Sequence, residues 1–195
     1  MSESSGSLHR AVGEAARAWW RAHLPGGADG RRGDPATFAR LRRCARPVEA
    51  LAEAATVELW RSLPDEFRNR GDRDEKLART AALAHVLAFV SKDTRREGTQ
   101  AIHPMRQLGP QKSSEPQGAK LKPLRLRQLL AAREPEELAQ AFRRLVTIAD
   151  RQIDVGELAA ALLLWDDSVR TRWAFTWHDA AWAAPGADET LRDAV

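Results

Sequence analysis

A chain of 195 residues, 43% hydrophobic and 30% charged, can bury a substantial core and is too apolar to be intrinsically disordered. Its one cysteine, Cys44, excludes an internal disulfide and fits a reducing compartment, and no run approaches the ~20 apolar residues of a membrane span. The net charge is only +4, but it is segregated: residues 31–46 hold six arginines and one acid, residues 91–127 are also strongly basic, and the remainder is net acidic.

Valine and isoleucine are sparse and tyrosine is absent, so strands are poorly supplied and an all-α fold is expected. The polar stretch Met1–Ser7 predicts no secretory leader, which points to the cytoplasm. Ser7 can cap a first helix running to about Leu24, where Pro25-Gly26-Gly27 stops it. Leu8, Val12, Ala15 and Trp19 share its inner side. Trp19 and Trp20 are adjacent, so one is expected to be half exposed or to meet another subunit.

The second helix is the basic one. Asp34 offers a side-chain acceptor at the N-cap, and Pro35 presets φ where no amide donor is needed. At the α-helical period, Phe38, Leu41, Cys44 and Ala45 face one way, and Arg40, Arg42, Arg43 and Arg46 the other. Such a helix lies on a core and faces polyanions. Cys44 falls on the apolar side and reads as a packed residue rather than a reactive thiol.

Pro47 starts a third helix that carries Val48, Leu51, Ala55, Leu59 and Leu63 to Pro64. Asp72, with Glu75 three positions on, opens a fourth through Leu87 and Val90 to about Lys92. A short helix within 98–108 follows, then a Pro/Gly/Ser-rich basic loop. Downstream, helices are expected from Leu124 to Arg133, from Pro135 to about Ala149, from Asp154 to near Trp165, and from Asp167 or Ser168 through Trp182. The organisation predicted is an N-terminal bundle over 8–108, a mobile basic linker over 109–123, a C-terminal bundle over 124–183, and a disordered tail over 184–195. The two bundles are expected to form an elongated molecule.

Trp165, Val169, Trp173 and Trp177 recur every four residues, the spacing of a core stripe rather than of base-stacking aromatics. Asp150, Asp154, Glu157, Asp166 and Asp167 read as helix caps and dipole partners rather than as a metal cluster. The five histidines are scattered without HExxH spacing. No phosphate loop, nucleophile elbow or dinucleotide fingerprint is present. The sequence thus predicts no enzyme, no cofactor and no metal, and the arginines carry the function.

At this point the chain resembles CasB, the small subunit of the type I-E Cascade complex of bacterial CRISPR defence. The resemblance rests on Trp19-Trp20, on Gly30-Arg31-Arg32-Gly33 followed by Leu41-Arg42-Arg43, and on Leu124-Arg125-Leu126-Arg127-Gln128-Leu129-Leu130. It continues through Phe142-Arg143-Arg144-Leu145, Leu162-Leu163-Leu164-Trp165-Asp166 and Val169-Arg170-Thr171-Arg172-Trp173-Ala174-Phe175. It implies an all-helical, non-catalytic subunit present in two copies, packed beside the Cascade backbone and large subunits. Its basic faces would hold the guide RNA–target DNA hybrid and the displaced strand of the R-loop. The residues expected to touch phosphates are Arg31, Arg32, Arg40, Arg42, Arg43, Arg125, Arg127, Arg143 and Arg144, with Lys92 and Arg96 as second choices. Backbone contacts suffice where pairing to a guide reads the sequence. The competing expectation is a structural scaffold whose arginines pair with acids on neighbouring subunits.

Overall fold

The computed structural model describes residues 2–24, 34–95, 101–110 and 118–178. Helices dominate: α1 (Ser2–His23), α2 (Pro35–Arg43), α3 (Ala54–Ser62), α4 (Asp65–Arg68), α5 (Arg73–Leu87), α6 (Pro104–Leu108), α7 (Pro123–Ala131), α8 (Pro135–Ile148), α9 (Val155–Leu163) and α10 (Asp167–Trp177). The expected caps form where the sequence places them. Asp34 accepts from the amides of Ala36 and Thr37, Asp72 from those of Asp74 and Glu75, and Asp154 from that of Glu157.

Several boundaries differ. The first helix starts at Ser2 rather than Ser7. The run from Pro47 is broken: a 3-10 turn over Pro47–Ala52 ends at extended Glu53 before α3 begins, and Val48 is exposed. α5 stops at Leu87 rather than near Lys92, and Lys92 belongs to β1 (Lys92–Asp93), paired in parallel with β2 (Gln152–Ile153). A parallel bridge two residues long leaves no periodicity to read. The short helix expected within 98–108 covers Pro104–Leu108, capped by the His103 ring. Residues 96–100, 111–117 and 179–195 lie outside the described residues, and with them part of the expected linker, the end of the last helix and the tail.

Both tryptophans of the pair in α1 are buried, Trp19 at 4% and Trp20 at 1% exposure. The expectation that one would be half exposed fails because α1 packs on α3 and on α9, so two sides of the helix are covered. The α1–α9 crossing is close. A Cβ on Gly13 would stand 2.8 Å from the Gly156 carbonyl oxygen, and one on Gly156 would stand 2.7 Å from the Arg17 guanidinium. Only a residue without a side chain lets the backbones approach this far.

That approach seats Arg17 inside the protein at 3% exposure. Its Nε donates to Asp93 on β1 at 2.8 Å, one Nη donates to the fully buried Asp154, and the other reaches Glu14 at 3.1 Å. Asp93 also accepts from the amide of Val155, and Asp154 from those of Ile102 and Glu157. Burial opposes the charge on Arg17, but the surrounding carboxylates outweigh it and raise the pKa. Asp154 is therefore more than a cap, and Asp150, at φ +54, caps nothing and pairs with Lys120.

Trp165, Val169, Trp173 and Trp177 are all in the core, as their spacing predicts. The Phe142, Trp165 and Trp173 rings meet with centroids 5.2–5.5 Å apart. Two indole N–H groups reach backbone carbonyls, Trp165 to Ala132 and Trp177 to Leu121. Buried residues from both sides of 109–123, including Ala119 and Leu121 within it, belong to one cluster.

Candidate nucleic-acid interface

Asp34 and Pro35 set the axis of α2, and Leu41 anchors it to the core while Phe38 packs at the edge. This leaves Arg40, Arg42 and Arg43 on the outer side, but their surroundings differ. Arg40 is engaged by carboxylate: its Nε donates to both oxygens of Glu53 at 3.0 and 2.8 Å, and its Nη2 donates to Thr37. The hydrogen bond to Glu53 raises its pKa. Extended Glu53, between the 3-10 turn and α3, thus reaches the face that the arginine presents.

Arg42 has aromatic neighbours instead. Its guanidinium carbon lies 5.2 Å from the centroid of Phe38 and 5.0 Å from that of Phe89. Arg143, on the exposed side of α8, lies 5.4 Å from the same Phe89 ring. The two charges are no farther apart than these distances combined, although they are 101 positions apart in the chain. A guanidinium attracted to a ring through its π face keeps its in-plane N–H fork open, whereas a carboxylate partner occupies that fork. Among the described residues neither Arg42 nor Arg143 has a carboxylate partner within salt-bridge distance.

Phe89 is itself fixed. Its carbonyl accepts from Arg151 Nε at 3.0 Å, and its ring packs edge-on against His85, whose Nδ1 meets the Leu41 carbonyl oxygen at 2.8 Å. Burial lowers the pKa of His85, and Arg143 adds to the effect. Arg151, at φ +62, closes the turn from α8 into β2. Sequence reasoning missed both Phe89 and Arg151. The aromatic sits at the frayed end of α5, where the helical period has lapsed, and no local pattern foretells a left-handed arginine.

Arg144 follows Arg143 on α8 and turns toward α7. It lines a groove of about 290 Å³ between the two helices, together with Arg125, Gln128, Gln140 and the apolar Leu129 and Ile148. Arg125 donates to Gln128 at 3.0 Å. Among the described residues Arg43, Arg127 and Arg144 have no carboxylate partner. Arg127 is exposed and joins neither group. Lys92 is exposed on β1, and its amide rather than its ammonium ties it to Arg151. Arg31, Arg32 and Arg96 lie outside the described residues.

Other chemistry is thin among the described residues. No group of three or more His, Cys, Asp or Glu is placed to hold a metal ion. No helix is long and apolar enough to cross a membrane. Cys44 is half-buried, and burial raises its thiol pKa.

No curated protein and no solved structure matches the chain. A family model does: that of CRISPR-associated protein Cse2, over residues 37–178, a span that contains α3 to α10 and all but the first two residues of α2. Most of the chain, including Arg42, Phe89, Arg125, Arg143 and Arg144, falls inside it. The chain therefore belongs to the Cse2 family, also called CasB, the small subunit of the type I-E CRISPR Cascade complex.

Proposed function

We propose that this chain is a non-catalytic Cascade subunit that binds nucleic-acid backbone along a path from α2 over Phe89 and α8 to the α7–α8 groove. The cationic groups on that path are Arg42 and Arg43, then Arg143 and Arg144, then Arg125. Arg31, Arg32 and Arg96 are further proposed phosphate contacts on the strength of the sequence alone, while Arg127 and Lys92 stand apart from the path. The subunit works in the cytoplasm beside a second copy of itself and the backbone and large subunits. It holds the guide RNA–target DNA hybrid and the displaced strand without reading bases.

The observation that carries this reading is the convergence of Arg42 and Arg143 on Phe89. It joins the basic helix to α8, and adjacent Arg144 joins α8 to the α7–α8 groove. Guanidinium forks bind phosphate oxygens in pairs and supply affinity without sequence information.

The test is R-loop formation on target DNA by the assembled complex carrying Arg42→Ala with Arg143→Ala. Intact assembly with a less stable R-loop is expected. Failed assembly, with DNA binding by the free chain unchanged, would replace this reading with the protein-scaffold one.

A further inference from the structure

A second basic site lies at the other end of α5. Thirteen residues separate Lys76 from Phe89, a distance of roughly 20 Å along a helix. Here the start of α5 meets the end of α9 and the start of α10 around a half-open cavity of about 640 Å³. Four cations line it: Arg70, Lys76, Arg79 and Arg172. The lining acids are Glu75 and Asp166, and both are occupied. Glu75 pairs with Arg79, and Asp166 accepts the amide of Val169 as the cap of α10. The lining thus has an excess of two positive charges.

Among the described residues Arg70 and Arg172 have no carboxylate partner within salt-bridge distance. The Lys76 ammonium donates to the Phe67 carbonyl oxygen and lies 5.0 Å from the Phe67 ring. Burial and the charge of Arg70 both push the Lys76 pKa down. Arg79 donates to the carbonyl oxygens of Leu163 and Trp165, but its Nε is buried with no hydrogen-bond partner. Cations crowded on one cavity without carboxylate partners repel one another, and an anion between them would offset that cost.

We propose that this cavity binds a phosphomonoester, whose two negative charges match the excess of the lining. Arg70, Lys76 and Arg172 line it together with the apolar Leu8, Phe67 and Val169. A diester on a continuous strand carries one charge per phosphate and is a poorer match, so the site is distinct from the path over α8. The monoester has two sources, a free mononucleotide or the phosphorylated end of a strand.

The experiment uses the full chain carrying Arg42→Ala and Arg143→Ala, to silence the path. Its probes are adenosine monophosphate, adenosine, and an oligothymidylate with either a 5′-phosphate or a 5′-hydroxyl, read by calorimetry. Binding of the monophosphate but not adenosine identifies free nucleotide as a source. A preference of about tenfold for the phosphorylated oligonucleotide identifies the strand end. Either result supports the site, provided that it weakens about tenfold in Lys76→Gln and in the exposed variant Arg70→Gln. Two variants guard against a folding defect in one. The proposal is overturned if neither phosphorylated probe is preferred, or if both well-folded variants bind as their parent does. Neither result bears on the path, whose test uses different residues.

Discussion

The guanidinium groups of Arg42 and Arg143 share one aromatic neighbour, the Phe89 ring, at 5.0 and 5.4 Å. Each comes from a different helix, and Phe89 stands just past the end of a third. The cluster is a product of the tertiary fold and brings two guanidinium groups to one ring.

Phe89→Leu tests the role of the ring. Leucine keeps the apolar contact and removes the quadrupole, so both arginines lose their preferred position. Affinity for single-stranded DNA should fall about two- to fivefold, the worth of a cation–π contact near the surface. Thermal stability should change little. Filter binding at fixed salt checks the first result and a melting curve the second.

Arg17→Met tests the buried ionic centre. The variant leaves Asp154 and Asp93 in the interior without their cation. Removing one partner of a buried pair costs about 3–5 kcal/mol. Urea denaturation should show a loss of unfolding free energy of that size, seen as a lower midpoint with the slope preserved. A loss below about 1 kcal/mol would mean that water already reaches the centre.

His103 predicts a pH dependence. It is neutral in the fold: its Nδ1 accepts from the Met105 amide, and burial chiefly, helped by Arg172, His9 and Arg106, pushes its pKa down to about 4 despite the opposing charge of Glu157. The unfolded chain takes up this proton near 6.5. Its contribution is therefore present above pH 6.5 and is lost as pH falls through about 4, on the order of 2–3 kcal/mol. His103→Asn keeps an N-cap acceptor and removes the titration. Its stability between pH 6.5 and 4 should be flatter than that of the parent, measured by denaturant midpoint across that range.

Gly13→Ala tests the α1–α9 crossing. The added methyl group would meet backbone, which cannot turn aside as a side chain can. The helices must separate, at a cost of about 1–3 kcal/mol. Gly6→Ala, where nothing lies within 4 Å, is the control and should be neutral or better.

Much of the helical layout was legible because it is written locally. Asp34-Pro35, Asp72 and Pro135 mark helix starts through short-range hydrogen bonds and a preset φ. Trp165, Trp173 and Trp177 mark a buried face through period alone. What was not legible depends on distant partners. Arg17 and Asp154 are 137 positions apart, and nothing near either one names the other. Arg40 and Arg42 look equivalent in the sequence, but Glu53 takes one and Phe89 the other. The candidate arginines were therefore readable as a set, and the fold decides which of them meet a carboxylate and which meet a ring.

The most direct measurement is the salt dependence of single-stranded DNA binding by the full chain. Each phosphate contact contributes about 0.7 to the slope of log affinity against log salt. Removing Arg42, Arg143 and Arg144 together, as alanines, should reduce that slope by about 2. Arg40→Ala should leave it unchanged. An unaltered slope in the triple variant, or an equal drop in Arg40→Ala, would contradict the path over Phe89.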